Sequence, residues 1–422
     1  MMKSKIIAII LLIAVSVGTL SSCILLDENM LIPSAGLTGS GDRNTTINVT
    51  GGPSYENVNI TSTHEKNLLA ATKAMLSAVS VVCYVKEYKL VDGEYKEVDT
   101  PKSAGSGVII ELDKEKGSAY VITNYHVVSN AKASDQLGVY KDVRLSLYGM
   151  ENMAEGDVSY QIPATYVGGS LNYDLAVLKV EASTVLMASN AMAAEFADSD
   201  EVSILDTAIA IGNPEAGGLS ATVGTINVDS ENIKVLIDTK NGATAVQLRV
   251  MRTDAAVNSG NSGGGLFNDS GKIIGIVNAR EADVSVDNMG YAIPSNVAKA
   301  IAENAIYYSD GTIKRCMLGI TVGVKEYSTD YDLETGKLHK LEKVVITKLE
   351  ENAAAKGYLS VGDVINSITV DGVTHKVTRI FHVVDNMLWA RVGSTVSFNV
   401  TDKDGVTKDI VVPITEATLT VY

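Results

Sequence analysis

At 422 residues the chain is longer than one ordinary hydrophobic core supports, so two or three domains are expected. Its 46% apolar and 20% charged residues are the composition of a globular protein, and the formal net charge of -15 argues against nucleic acid or any other phosphate-rich partner. The remaining acidity describes solvated surface and selects no function.

The chain opens with MMKSKIIAIILLIAVSVGTLSSC, in which Lys3 and Lys5 precede an apolar run too short for a comfortable membrane span. Residues 1–22 read as a secretory signal peptide. Leu20-Ser21-Ser22-Cys23 resembles the bacterial lipobox, whose cysteine thiol takes a diacylglyceryl group and becomes the mature N-terminus. Lipidation at Cys23 would tie the protein to a membrane, each buried methylene contributing roughly 0.8 kcal/mol. Residues 23–64 are rich in Gly, Ser, Thr and Asn, lack sustained periodicity, and read as a flexible tether with a reach on the order of 35 Å. Asn-x-Thr triplets at Asn44, Asn48 and Asn59 match a glycosylation acceptor, but beside a bacterial lipobox composition explains them better. Cys83 and Cys316 lie far apart in apolar surroundings, without Cys-x-x-Cys spacing or a nearby His; they read as buried free thiols, with no metal site and no disulfide framework.

From Glu65, EKNLLAATKAMLSAV carries helical apolar spacing at Leu68, Leu69, Met75, Leu76 and Val79, and the β-branched run VSVVCYV follows. Short strand-like segments then recur: GSGVIIEL, AYVITNYHVV, VRLSLY, QIPATYVG, LAVLKV, TAIAIG, TVGTINVDS, interrupted by Gly224, and KIIGIVNA. Their spacing, punctuated by Gly, Asp and Asn, predicts an all-β barrel or sandwich. SNVAKAIAENAIYY (295–308) reads as a closing helix with Ser295 as N-cap after Pro294, and Asp310-Gly311 then breaks the chain. The last hundred or so residues form a second β-rich unit with short helical patterns near 351–356 and 379–390. No internal repeat is apparent.

Residues 258–265, NSGNSGGG, would alone be a flexible loop. Serine becomes a nucleophile only when a base removes its proton, and the base needs a third group to fix its tautomer. Between Glu65 and Asp310 there is one histidine, His126 in VITNYHVVS, placed by its apolar approach at a strand end. Asp174 precedes the alternating run LAVLKV. The order His126, Asp174, Ser262 is that of chymotrypsin-like proteases, whereas α/β-hydrolases run Ser, acid, His. Gly260-Asn261-Ser262-Gly263-Gly264 also satisfies the nucleophile-elbow pattern G-x-S-x-G, but RTDAAVNSG lacks the buried strand an elbow requires. The glycines suit a tight loop whose amides converge, with the N–H groups of Gly260 and Ser262 forming an oxyanion hole.

GSGVII, VITNYHVV, YDLAVLKV, AIAIGNP, TDAAVNSGNSGGGLFN, GKIIGI and GYAIPS together resemble the HtrA/Deg serine proteases, in matching order across residues 65–300. The resemblance implies a mainly β fold, a chymotrypsin/trypsin-like double β-barrel over residues 65–310, with His126 as general base, Asp174 as its orienter and Ser262 as nucleophile. Two departures stand out: Gly265, where the family often has Pro or Ala and which could loosen the nucleophile loop, and Tyr125, where a smaller residue is usual. Asn261 occupies the place of the Asp that zymogen-activated relatives pair with a freed N-terminus, so cleavage activation is not expected. Ala256, six residues before the nucleophile, stands where the trypsin-like fold puts the base of the S1 pocket. Without an acid there, small apolar P1 side chains are expected, and these are exposed in unfolded substrates. The family further implies a homotrimer formed through the segment before the first barrel, with Tyr55 as a contact.

Residues 311–422 resemble one PDZ domain (β-sandwich/barrel with two short helices), through CMLGITV, AAAKGYLSVGDVINSITVDG and GSTVSFNVTDKDGVTKDIVV. Asp371-Gly372 and Asp404-Gly405 read as hairpin turns, and Gly357 as the end of the first short helix. In the family the loop at Met317-Leu318-Gly319-Ile320 offers N–H groups to a peptide C-terminal carboxylate. The DKDG turn lacks the remaining ligands of a calcium loop. The expectation is an ATP-independent, cofactor-free serine endopeptidase of the bacterial cell envelope, acting on unfolded polypeptides and regulated by its PDZ domain. The alternatives are a sensor protease dedicated to one membrane signalling partner and a chaperone-like protein with an inactive protease.

Overall fold

The computed structural model describes residues 62–150, 160–214, 217–279 and 289–422. The signal peptide, Cys23, Tyr55 and nearly all of the expected tether lie outside the described residues, which fall within one compact unit, 59–422. Among the described residues no helix is long and apolar enough to cross a membrane.

Helix α1 (Thr63–Met75) starts at a capping box: Glu65 N–H donates to Ser62 Oγ at 3.2 Å and Ser62 N–H to Glu65 Oε2 at 3.0 Å. It stops short of the Val79 reached by the helical spacing, because strand β1 (Ala78–Val91) claims the β-branched run and buries Val79, Val81 and Cys83. Strands β2 (Glu94–Asp113) and β3 (Ser118–Thr123) lead to the one-turn helix α2 (Tyr125–Val128). Strands β4 (Asp142–Leu147), β5 (Ile162–Ser170) and β6 (Leu175–Val180) complete a closed barrel in the order β1-β2-β3-β6-β5-β4. Strand β4, DVRLSL, alternates half-buried and buried residues, as a strand with one face to the core must.

After the short helix α3 (Thr184–Ala188) a second closed barrel repeats the plan. Its strands are β7 (Thr207–Gly212), β8 (Ser220–Thr239), β9 (Gly242–Thr253), β10 (Gly265–Phe267), β11 (Ile273–Asn278) and β12 (Gly290–Pro294). Gly224 does not interrupt β8: it pairs with Ala208, and a side chain there would come within 2.3 Å of Ala255 N, so close packing rather than a break explains the glycine. Helix α4 (Ser295–Tyr308) closes the unit, but Pro294, not Ser295, is its N-cap; the Ser295 hydroxyl donates instead to Ala197 O at 2.7 Å. Between the barrels and α4 lies a continuous core including Val108, Ile122, Ile209, Phe267 and Ile301.

The C-terminal region begins with β13 (Lys314–Cys316) and then builds a sheet from β14 (Ile320–Tyr331), β15 (Leu338–Leu349), β16 (Val364–Val370), β17 (Val373–Lys376), β18 (Thr395–Thr401) and β19 (Thr407–Pro413). The order is β14-β15-β16-β18-β19, with β17 folded back on β16, so β14 is an edge strand. Strand β20 (Leu419–Val421) pairs with β13. Asp371 and Gly372 both have positive φ between the paired Val370 and Val373, a two-residue type I′ hairpin as expected. One helix, α5 (Phe381–Asn386), answers the pattern at 379–390, while 351–356 forms turns and no helix. Backbone bonds there go to turns and to the neighbouring strand lead-in, with Ala353 N–H donating to Glu350 O at 3.1 Å and Ala355 N–H to Leu318 O at 3.1 Å.

Cys83 and Cys316 are free and buried, and burial pushes their thiols up to about 12 and about 11. Ion pairs join the second barrel to the C-terminal sheet: Arg249 with Asp385 at 2.5 Å, Arg379 with Asp229 at 2.8 Å, Lys340 with Asp229 at 3.2 Å and Lys337 with Asp206 at 2.9 Å. The Arg249 guanidinium also lies 4.0 Å from the centre of the Phe381 ring.

Candidate active site

His126 sits in the first turn after β3, and Asp174 caps the 3₁₀ turn Leu171–Tyr173 that enters β6. Asp174 adopts a left-handed conformation, φ 48° and ψ 43°, which Asp tolerates better than most residues. This folds its wholly buried carboxylate back onto helix α2. Oδ1 accepts the His126 backbone N–H at 2.9 Å, and Oδ2 lies 2.6 Å from His126 Nδ1. A carboxylate only accepts, so the pairing puts the imidazole proton on Nδ1 and leaves Nε2 as the base.

Two amides that the sequence reading did not single out complete the set. Asn278, at the end of β11, donates from Nδ2 to Asp174 Oδ2 at 2.7 Å, and Asn124 Nδ2 donates to Asp174 O at 2.8 Å. An amide terminating the otherwise apolar run of β11 was the available signal for Asn278. Both oxygens of the buried Asp174 carboxylate are thereby hydrogen-bonded.

Ser262 is 5% exposed, and its Oγ accepts the Ala279 N–H at 3.1 Å. Among the described residues no hydrogen bond joins Ser262 to His126, so the hydroxyl proton is uncommitted. The loop that carries Ser262 is a turn in which Asn261 N–H donates to Asn258 O at 3.0 Å with Gly260 at φ 96°, a type II turn. Gly263, at φ 85°, has no alternative residue: a Cβ there would lie 2.2 Å from Ser106 O. The N–H groups of Gly260 and Ser262 donate to no acceptor among the described residues. Asn261 is buried as a neutral amide, with Oδ1 unpartnered.

Gly265 does not loosen this loop. It is the first residue of β10, paired with Ile276 and Ile211, and the Phe267 ring occupies its side-chain space, 2.3 Å from where a Cβ would stand. Tyr125 packs into the apolar face of the β8–β9 hairpin, with Ile233, Val235, Ile237, Val246, Leu248 and Val250, and donates its hydroxyl to Leu137 O at 3.1 Å. Burial raises its phenol pKa above the usual value. The same hairpin covers Leu171, so one apolar face braces the turns that carry both His126 and Asp174. Ala256 is exposed, with its carbonyl accepting Thr222 Oγ1 at 2.9 Å. Among the described residues no cluster of three or more His, Cys, Asp or Glu side chains could hold a metal ion.

In the C-terminal sheet, Leu318 is buried and Gly319 has φ 71°. Their carbonyls accept Ala355 N–H at 3.1 Å and Glu350 N–H at 2.8 Å, and Ile320 opens edge strand β14.

Two closed six-stranded barrels with a His–Asp pair and a serine turn at their seam have the architecture of the trypsin-like double barrel, and residues 105–276 match the family described as trypsin-like peptidase domain. In sequence the chain is similar to HtrA- and DegP-type proteases. It is 38% identical over 224 residues to the serine protease Do-like HtrA of Bacillus subtilis, covering 53% of this chain and 43% of the relative. With the serine protease Do-like HtrA of Lactococcus lactis subsp. cremoris it shares 35% over 283 residues, 64% of this chain and 62% of the relative. The periplasmic serine endoprotease DegP of Escherichia coli is 33% identical over 275 residues, 63% of this chain and 48% of the relative. The chain thus spans about half to three-fifths of the length of these relatives. The solved structure of the HtrA-type protease AlgW with decapeptide aligns at a TM-score of 0.49 and 23% identity, covering 86% of this chain and 99% of that one.

Proposed function

We infer that the chain is an ATP-independent serine endopeptidase of the bacterial cell envelope that cleaves unfolded exported polypeptides. The observation that carries this is the wholly buried Asp174 carboxylate locked on His126 Nδ1 beside a serine turn with two uncommitted amides. In this reading Ser262 Oγ attacks the peptide carbonyl carbon as His126 Nε2 takes its proton. Gly260 and Ser262 N–H receive the oxyanion, and the C–N bond breaks as His126 returns the proton to the departing amine. Water, activated by the same nitrogen, then releases the acyl group from Ser262.

Residues 65–310 act as the protease and 311–422 as a PDZ domain. Among the described residues the N–H groups of Leu318 and Gly319 have no backbone acceptor, and their place beside the open edge of β14 supports capture of a peptide C-terminus, with Ile320 starting the strand the peptide would extend. A small apolar P1 preference rests on the family resemblance, with Ala256 in place of an acid six residues before Ser262. Anchoring through lipidated Cys23 and assembly as a homotrimer follow from the lipobox and the family resemblance. The hydrogen bond from Ala279 to Ser262 Oγ favours a second form of the same reading, a regulated protease that engages His126 only when a signal arrives.

The test is casein cleavage by the full chain in detergent, wild type against Ser262→Ala, with and without a hydrophobic C-terminal peptide. Loss of the triad serine is expected to cost on the order of 10⁶-fold. Equal cleavage by both proteins would sink the assignment; stimulation of the wild type alone by the peptide would support the PDZ switch.

A further inference from the structure

We propose that Ser106 is a positioning residue for the oxyanion hole, acting through the backbone of the nucleophile loop. The inference rests on the serine-peptidase reading above and assigns a role to a side chain on the opposite barrel. Ser106 lies in β2, is wholly buried, and has all four of its polar functions engaged. Its N–H donates to Ser262 O at 2.8 Å and its carbonyl accepts Thr123 Oγ1 at 2.7 Å. Its hydroxyl accepts Asn213 N–H at 2.8 Å and donates to Gly260 O at 2.7 Å.

The direction of that last bond is forced. Asn213 N–H can only donate and Gly260 O can only accept, so the hydroxyl proton must point at the loop. The two carbonyls held by Ser106, those of Gly260 and Ser262, belong to the peptides on either side of the Ser262 amide. With both neighbouring peptides pinned to the first barrel, the backbone that brackets the Ser262 amide is held in place, which limits how far the amide can swing from the seam. The peptide of that amide is also held within the loop, by Asn261 O accepting Gly264 N–H at 2.9 Å, so Ser106 adds the anchor to the first barrel that glycines at 260 and 263, which take either sign of φ, cannot supply. The close approach is built in from both sides. A side chain at Gly212 would meet Ser106 Oγ at 2.9 Å and Asn261 Oδ1 at 2.7 Å, and one at Gly105 would meet Ser262 O at 2.9 Å. The serine between two glycines in GSG is therefore a hydroxyl placed to hold the loop from the first barrel.

The test compares Ser106→Ala with Ser80→Ala in the full chain. Ser80 is a buried hydroxyl on the neighbouring strand that holds the Asn213 side chain at 2.7 Å, so it reports what losing a buried hydrogen bond at the seam does by itself. Ser106→Ala is expected to lower kcat by about 10²-fold, the lower end of the effect of losing one oxyanion donor, with KM unchanged. Inhibition by a peptide boronate, whose tetrahedral adduct places an oxygen in the hole, should weaken by the same factor. Ser80→Ala should keep the wild-type kcat. Ser106→Cys fills the same space with a weaker donor and should fall between Ser106→Ala and wild type, which keeps the test open if the alanine variant does not fold. A folded Ser106→Ala or Ser106→Cys protein with wild-type kcat, or an equal loss in Ser80→Ala, overturns the proposal. If Ser262→Ala is inert while Ser106→Ala is unimpaired, only the role of Ser106 falls; if Ser262→Ala is fully active, the serine-peptidase reading falls with it.

Discussion

At the seam between the barrels Asp174 is wholly buried and both of its oxygens are hydrogen-bonded, whereas at the junction with the C-terminal sheet Asp229 and Asp206 keep 21% and 35% of their side chains exposed. The seam is dry, crowded and threaded by glycines; the junction is ionic, open to water at Lys340 and Asp206 but mostly buried at the Arg249–Asp385 pair. In the first setting each polar atom has one geometry that satisfies it, so atoms are fixed to within fractions of an ångström. In the second, water can replace either partner of a pair at small cost. A catalytic constellation belongs in the first setting, and a contact that must open and close belongs in the second.

The sharpest way to break this contrast is at Asp174. Asp174→Asn keeps the shape but presents an amide to His126, favouring the wrong tautomer; kcat on a peptide substrate is expected to fall by about 10⁴-fold while thermal unfolding stays close to wild type. A wild-type rate would show that the buried carboxylate orients nothing. Gly265→Ala probes crowding rather than charge. The added methyl must displace the Phe267 ring, and overpacking of this kind costs roughly 1–3 kcal/mol, readable by denaturant unfolding. Unchanged stability would mean that the core beside the nucleophile loop is looser than it looks.

The smallest effect is expected at the junction, and it depends on pH. Burial alone would raise Asp229 and Asp200. Arg379 and Lys340 beside Asp229, and His382 and Arg249 beside Asp200, outweigh it and hold both carboxyls below their usual range. A depressed carboxyl contributes stability that is present above its unfolded pKa of about 3.9 and lost as pH falls through the folded value. These two carboxyls should loosen the junction as pH falls below about 4, while Asp385, pushed up by burial despite Arg249, contributes in the opposite sense. Lys337→Ala should cost no more than about 1 kcal/mol at neutral pH. Limited proteolysis near residue 311 across a pH series would follow the loosening; cleavage that appears first on the alkaline side would contradict the sign.

Much of the site was legible because its chemistry is written in residue types with few local alternatives. The lone histidine between Glu65 and Asp310, followed in order by an acid entering an apolar strand and a serine in a glycine-rich turn, leaves little choice. The partners that hold them were not legible, because Asn278 and Ser106 bond to residues 104 and 154 positions away, and nothing in their neighbours marks that. Ser295 misled for the same reason: its hydroxyl found a tertiary acceptor at Ala197, so the local capping rule did not apply. Gly224 and Gly265 read as a break and a weakness, yet each marks a place where another part of the chain occupies the side-chain position. Strand periodicity showed the strands, while the closure of six of them into each barrel depends on pairings that span the unit.

The two buried cysteines carry a consequence for the life history of the protein. Burial pushes the two thiols up to about 12 and about 11, so at neutral pH the reactive thiolate is disfavoured at both. Once folded, neither sulfur offers a useful target to an oxidant or a mixed disulfide. Neither of these two sulfurs calls for an oxidase as the chain folds, and neither gives redox stress a handle on the described fold.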